Sequence, residues 1–114
     1  MKLISKPISK QEIIKYHNTF FETMIKAVVD IEKEIIAIDA ELHADLEAHL
    51  LEKGSDQKDL WGINLYLQQK KENRLEYTAL INIRPAQNNP DMEIQSEDIK
   101  NKINKIVNKL ILEK

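Results

Sequence analysis

From Ser96 onward, apolar residues recur every three or four positions: Ile99, Ile103, Ile106, Val107, Leu110 and Ile111. That spacing predicts a helix over 96–112 with one apolar stripe. Ser96 stands as its N-cap, Glu97 and Asp98 fill its first turn, and Lys105 and Lys109 lie toward its negative end. A second helix is predicted over 9–23, where Ser9 and Glu12 have capping-box spacing and Ile13, Phe20 and Met24 supply the stripe. A short third helix over 44–53 carries Leu46, Leu50 and Leu51 and stops at Gly54.

Elsewhere the apolar period is two. Val28, Ile31, Ile35, Ile38 and Leu42 also fit a helical spacing, but that helix would run on from the first for about 45 residues without a stop signal. The β-branched density of Val28-Val29-Asp30-Ile31 and Ile35-Ile36-Ala37-Ile38 favours a hairpin instead, 26–31 and 35–42, turning at Glu32-Lys33-Glu34. Trp61, Ile63, Leu65 and Leu67 share one face of a strand over 60–67; Leu75, Tyr77, Ala79, Ile81 and Ile83 share one face of a strand over 75–83. Leu3-Ile4, ahead of Pro7, reads as a short edge strand. The expected fold is α+β, in the order β-α-β-β-α-β-β-α over a single domain, 1–114. It has an antiparallel or mixed sheet of four to five strands, two main helices on one face, and the short helix crossing an end.

Strand alternation also assigns the side chains that face away from this core. Asp30, Glu41, His43, Asn64, Asn82 and Arg84 fall in the outward sets, with Gly62 as a gap among them. We expect these residues to form a polar sheet face or its rim, open to a ligand or another backbone at Gly62. Polar-out alternation is equally the pattern of any antiparallel sheet wet on one side, and Arg84 with Glu41 reads equally as a cross-strand ion pair. Trp61, the only tryptophan, reads as a core anchor.

Composition narrows the chemistry. Two glycines, eight residues apart, exclude a dinucleotide-binding turn, a phosphate loop and a glycine-rich nucleophile elbow. The absence of cysteine excludes disulfides, a thiol nucleophile and thiolate metal sites. A net charge of -2 speaks against general nucleic-acid binding. No apolar run reaches the roughly 18 residues of a membrane span, and the expected setting is cytoplasmic.

Glu41-Leu42-His43-Ala44-Asp45 is the densest chemical cluster. His43 has the chemistry of a general base, with Glu41 or Asp45 to orient it. His43, Asp45 and His49 have ligand chemistry for a divalent metal but no fixed third-ligand spacing, and no metal or cofactor is assigned. Two functional readings follow. The first is a non-enzymatic binding module using the polar face, with a second copy of the chain as partner. The alternative is an enzyme for a small anionic or phosphorylated substrate: His43 as acid–base, Arg84 on the anion, Asn64, Asn82 and Asp30 lining the site.

Glu41–Asp45, Leu50-Leu51-Glu52-Lys53-Gly54-Ser55, Asp59–Tyr66 and Leu80-Ile81-Asn82-Ile83-Arg84-Pro85 occur in one order. Together they resemble a small bacterial and archaeal family catalogued as a domain of unknown function, and the resemblance covers most of the chain. It implies no activity, cofactor or partner. It also implies glycine near two places where this chain carries Asp39-Ala40 and Asn88-Asn89.

Overall fold

The computed structural model describes residues 1–113. Five strands form one antiparallel sheet in the spatial order β1 (Lys2–Ile4), β4 (Ile35–Ile38), β3 (Ile25–Asp30), β5 (Leu60–Leu65) and β6 (Leu75–Glu76). Three helices accompany them: α1 (Lys10–Tyr16), α2 (His43–Glu52) and α3 (Glu97–Leu110). A second, two-stranded parallel sheet pairs β2 (Ile8–Ser9) with β7 (Ile111–Leu112) and ties the two ends of the chain together. The α+β class, the order of the main elements and the hairpin all agree with the sequence pattern.

The two caps are where the sequence places them. Ser9 Oγ accepts from the Glu12 amide, and Ser96 Oγ from the Ile99 amide. Gly54 ends α2 at φ +103°, a conformation that favours glycine. The hairpin turn lacks glycine because Asp30 builds it from its own side chain: Oδ1 accepts from the amides of Glu32 and Lys33. Asp39 (φ 70°) and Asn88 (φ 61°) take left-handed backbone at the two places where the resemblance implies glycine. Aspartate and asparagine tolerate that region better than other side chains.

Four expected elements are shorter than their apolar pattern. β4 stops at Ile38 rather than residue 42, which leaves Glu41 outside the strand and His43 at the start of α2, and β5 stops at Leu65 rather than residue 67. α1 ends at Tyr16 rather than continuing to residue 23. The chain beyond it is a loop, pinned by Asp39, whose carboxylate accepts from both the amide and the hydroxyl of Thr19. The strand expected over 75–83 is a two-residue β6 followed by a single bridge, Thr78 to Glu93, and a 3-10 turn at Leu80–Asn82.

The larger correction concerns the sheet's second face. Ala27, Val29, Ile36, Ile38, Trp61, Ile63 and Leu65 face α1 and α3 in the main core. Val28, Ala37 and Leu60 face the other way, but they are also buried, under Leu46 and Leu50 of α2. The short helix therefore does not cross an end of the sheet; it covers the face that alternation assigns to solvent. Hydrophobic transfer explains this: Val28 and Ala37 interrupt the polar row with an apolar strip that Leu46 and Leu50 match.

Candidate functional site

The expected polar face is thus closed over most of its area, and its six residues separate into different roles. Asp30 is buried at the hairpin end, where Oδ2 accepts from the Ser55 hydroxyl at 2.6 Å while Oδ1 holds the turn. All of these partners belong to the chain's own scaffold.

Asn82 and Arg84 finish the sheet. β6 pairs with β5 only at Asn64 and Leu65, so the outer edge of β5 from Leu60 to Gly62 has no strand beside it. Asn82 substitutes for that strand with its carboxamide. Oδ1 accepts from the Gly62 amide at 2.8 Å, and Nδ2 donates to the Gly62 carbonyl at 2.9 Å and to the Met92 carbonyl at 3.1 Å. Arg84 donates to the carbonyls of Leu60, Gln57 and Ile81, pairs with Glu47 at 3.3 Å, and lies over the Trp61 ring at 4.6 Å. Its guanidinium is occupied by the fold, which corrects the expectation that it meets a substrate anion, and its partner is Glu47, not Glu41. Asn89 holds the following loop in the same way. Its Nδ2 donates to the carbonyls of Asn82, Asp91 and Glu93, and its Oδ1 accepts from the Gln95 amide.

Gly62 is also filled from within. A Cβ there would lie 2.5 Å from Ala79 Cβ, 3.1 Å from Ile81 Cγ1 and 3.2 Å from His43 Cδ2. The gap admits the chain's own 79–82 turn, not a ligand.

His43 and Asn64 remain together. α2 and the 79–82 turn leave one end of the second face uncovered, and there a cleft of about 370 Å³ opens. This is near the lower end of ligand pockets, which run from about 300 to 1,000 Å³. His43 and Asn64 line it with Met24, Lys26, Leu80 and Met92 among others, and the lining is predominantly apolar. Asp30, Asn82 and Arg84 do not line it.

Asn64 is only 8% exposed. Its Nδ2 donates to Glu76 Oε1 at 2.7 Å and to the Thr78 carbonyl at 3.3 Å, which fixes the orientation of the amide. Its Oδ1 is buried with no hydrogen-bond partner. An unsatisfied buried acceptor costs about 1–3 kcal/mol.

His43 bonds the Ile63 carbonyl through Nε2 at 2.8 Å. A carbonyl only accepts, so Nε2 carries the proton and the neutral ring keeps its lone pair on Nδ1. Burial pushes the imidazole pKa below its ordinary value; the Ile63 carbonyl on Nε2 opposes this, the Lys26 charge adds to it, and the Asn64 side chain beside the ring opposes it. Glu41 and Asp45 are exposed, and neither is hydrogen-bonded to His43. The expected orienting carboxylate is replaced by the Ile63 carbonyl. Among the described residues, no three His, Cys, Asp or Glu side chains gather around a metal-sized point.

The lowered pKa has a consequence for the fold. The unfolded chain takes up a proton near pH 6.5, before the folded chain does. The stability contributed by neutral His43 is therefore present above that pH and is lost as pH falls from there through the lower folded pKa. Urea titrations between pH 8 and 5 are expected to show this decline, and His43→Gln, which retains a donor for Ile63, is expected to flatten it. An unchanged slope in that variant would place the titration elsewhere.

Lys26, Met24, Leu80 and Met92 are the cleft residues that sequence reasoning did not single out. Lys26 had a signal: it is the one cation within the apolar strand Ile25–Asp30 and shares the face of Asp30 by parity. Leu80 and Met92 had none, since their placement depends on the turn at Leu80–Asn82.

A family model described as a protein of unknown function, DUF5674, matches residues 2–110. No curated protein and no solved structure matches the chain. Among the described residues, no helix is long and apolar enough to cross a membrane.

Proposed function

We infer that this chain, which belongs to the DUF5674 family of proteins of unknown function, is a non-enzymatic binding module whose cleft takes a small, largely apolar molecule carrying a hydrogen-bond donor. The observation that carries this reading is the Asn64 Oδ1, a buried acceptor left without a partner beside an apolar cleft. A ligand hydroxyl or amide N–H would supply the missing bond, and the apolar lining would cover the rest of the molecule. Met24 and Met92 are flexible, adaptable side chains, and their movement would admit such a group to the floor. The enzymatic alternative has less support: it needs an anion-binding Arg84 and a carboxylate on His43.

The test uses 4-methylpentane-1,2-diol, an apolar tail with two hydroxyls, titrated into nitrogen-15-labelled protein. Chemical-shift changes are expected at Asn64 and along 78–81. Leu80→Asp is expected to abolish them while changing stability by no more than about 0.5 kcal/mol, because Leu80 is 70% exposed. Shifts absent from Asn64, or indifferent to Leu80→Asp, would contradict the reading.

A homodimer is the second reading, favoured by the exposed apolar rim of Leu42 (52%) and Leu80 (70%). Sedimentation velocity separates the two. A dimer that Leu80→Asp dissociates would give the rim to a second copy; a monomer at all concentrations leaves it to the ligand.

A further inference from the structure

The N-terminus of α2 opens onto the same cleft: Leu42, His43 and Ala44 all line it. α2 has ten residues, and its N-cap, Leu42, has no side chain able to cap it. The Asp45 amide turns back to the Leu42 carbonyl at 3.1 Å. Among the described residues, no backbone or side-chain acceptor takes the amides of His43 or Ala44. α1 and α3 differ here, each having a serine cap. Two free N–H groups at the positive end of a helix attract negative charge.

Two further observations bear on the ligand, one on its charge and one on its neutral donor. Among the described residues, Lys26 is the only charged side chain lining the cleft; the Glu76 carboxylate is not in the lining but accepts from Asn64 Nδ2. Asn64, more than nine-tenths buried, lines the cleft, and its Oδ1 is buried without a partner. That oxygen calls for a neutral donor close to the anion, while Met24, Leu80, Ile81 and Met92 provide an apolar wall. An apolar acid with a hydroxyl or amide N–H adjacent to its carboxylate satisfies all three demands.

We propose that the cleft binds such an acid, its carboxylate held by the His43 and Ala44 amides and the Lys26 ammonium, and its neighbouring donor on Asn64 Oδ1. This rests on the cleft being a ligand site and names the ligand's class. Lys26 is paired in register with Asn64 across β3 and β5, so the cation and the unpartnered oxygen lie on neighbouring strands of one face. Charge-assisted bonds to amides and an ammonium are stronger than neutral ones, and an apolar surround strengthens them further.

The test compares 2-hydroxy-4-methylpentanoate with 4-methylpentane-1,2-diol, which has the same carbon skeleton and the same donor but no charge. Near neutral pH the acid is expected to bind at least tenfold more tightly, with the His43 and Ala44 amide resonances moving downfield. Lys26→Met is expected to weaken the acid threefold to tenfold and leave the diol unchanged. Equal affinity for acid and diol, or acid binding indifferent to Lys26→Met, would overturn the anion site while leaving the cleft reading intact. Failure of both molecules to shift Asn64 would overturn both.

Discussion

Asn82→Leu is expected to cost about 4 kcal/mol, enough to lower the melting temperature by roughly 20 °C. The two side chains are similar in size, so little packing volume is lost. The change acts through hydrogen bonds. Asn82 is 0% exposed, and its carboxamide bonds the Gly62 amide, the Gly62 carbonyl and the Met92 carbonyl. Leucine leaves the Gly62 amide and carbonyl without a partner at a site that water does not reach, while the Met92 carbonyl keeps the Ala79 amide as its donor. Each orphaned group costs about 1–3 kcal/mol, against a total stability of about 5–15 kcal/mol for a domain. The lost stability falls on one side of the sheet, so hydrogen exchange at Gly62 and along the 79–84 segment should accelerate before exchange in β3 and β4 does. Denaturant unfolding checks the magnitude. A cost below about 1 kcal/mol would show that Asn82 does not substitute for a strand.

Gly62→Ala is expected to cost about 3 kcal/mol, the upper part of the range for overpacking. The new methyl would lie 2.5 Å from Ala79 Cβ, an atom with no rotamer by which to move away. Either the 79–82 turn or β5 must shift. The other near atoms, on Ile81 and His43, also belong to cleft residues, so the displacement reaches the site. Ligand binding should fall together with stability. Ala79→Gly removes the atom that is struck, and the double variant Gly62→Ala/Ala79→Gly should recover most of the loss. A coupling energy of about 1–2 kcal/mol in that cycle is the expected result, and strict additivity would contradict the close approach.

The elements that local chemistry decides were legible in the sequence. Ser9 and Ser96 announce helix starts because a hydroxyl caps free amides at a fixed offset. The hairpin was legible from β-branched density, although its turn is made by Asp30, a residue within the strand rather than within the turn. The resemblance to a family of unknown function also stands. Parity placed Asp30, Gly62 and Asn64 correctly on the second face.

Long-range pairing was what parity left open. Alternation specifies which side chains share a face, not what lies over it. Leu46 and Leu50 show an apolar face for α2 but not the surface it meets, so a helix read as crossing an end covers the second face instead. Over 75–83 the apolar period of two does not mark one face: Leu75 and Tyr77 pack on the main core, Ala79 meets Gly62 and Ile81 packs on the second face, and Ile83 is exposed while Asn82 and Arg84 are buried. The backbone makes a 3-10 turn there and a side chain performs the pairing. The polar residues were legible as a row but not by role. Asp30, Asn82 and Arg84 are spent on the scaffold, and only His43 and Asn64 meet at the cleft. That division depends on which backbone groups lack partners, which is fixed only when the strands have been placed.

The cleft as a binding site is the central claim, and a crystal structure of the chain soaked in 2-hydroxy-4-methylpentanoate tests it most directly. The account predicts one ordered molecule in the cleft, its apolar tail between Leu80 and Met92, its hydroxyl within hydrogen-bond distance of Asn64 Oδ1, and its carboxylate at the amides of His43 and Ala44. A cleft empty at saturating concentrations of this acid and, in a second soak, of 4-methylpentane-1,2-diol, with Asn64 Oδ1 still unpartnered, would contradict it.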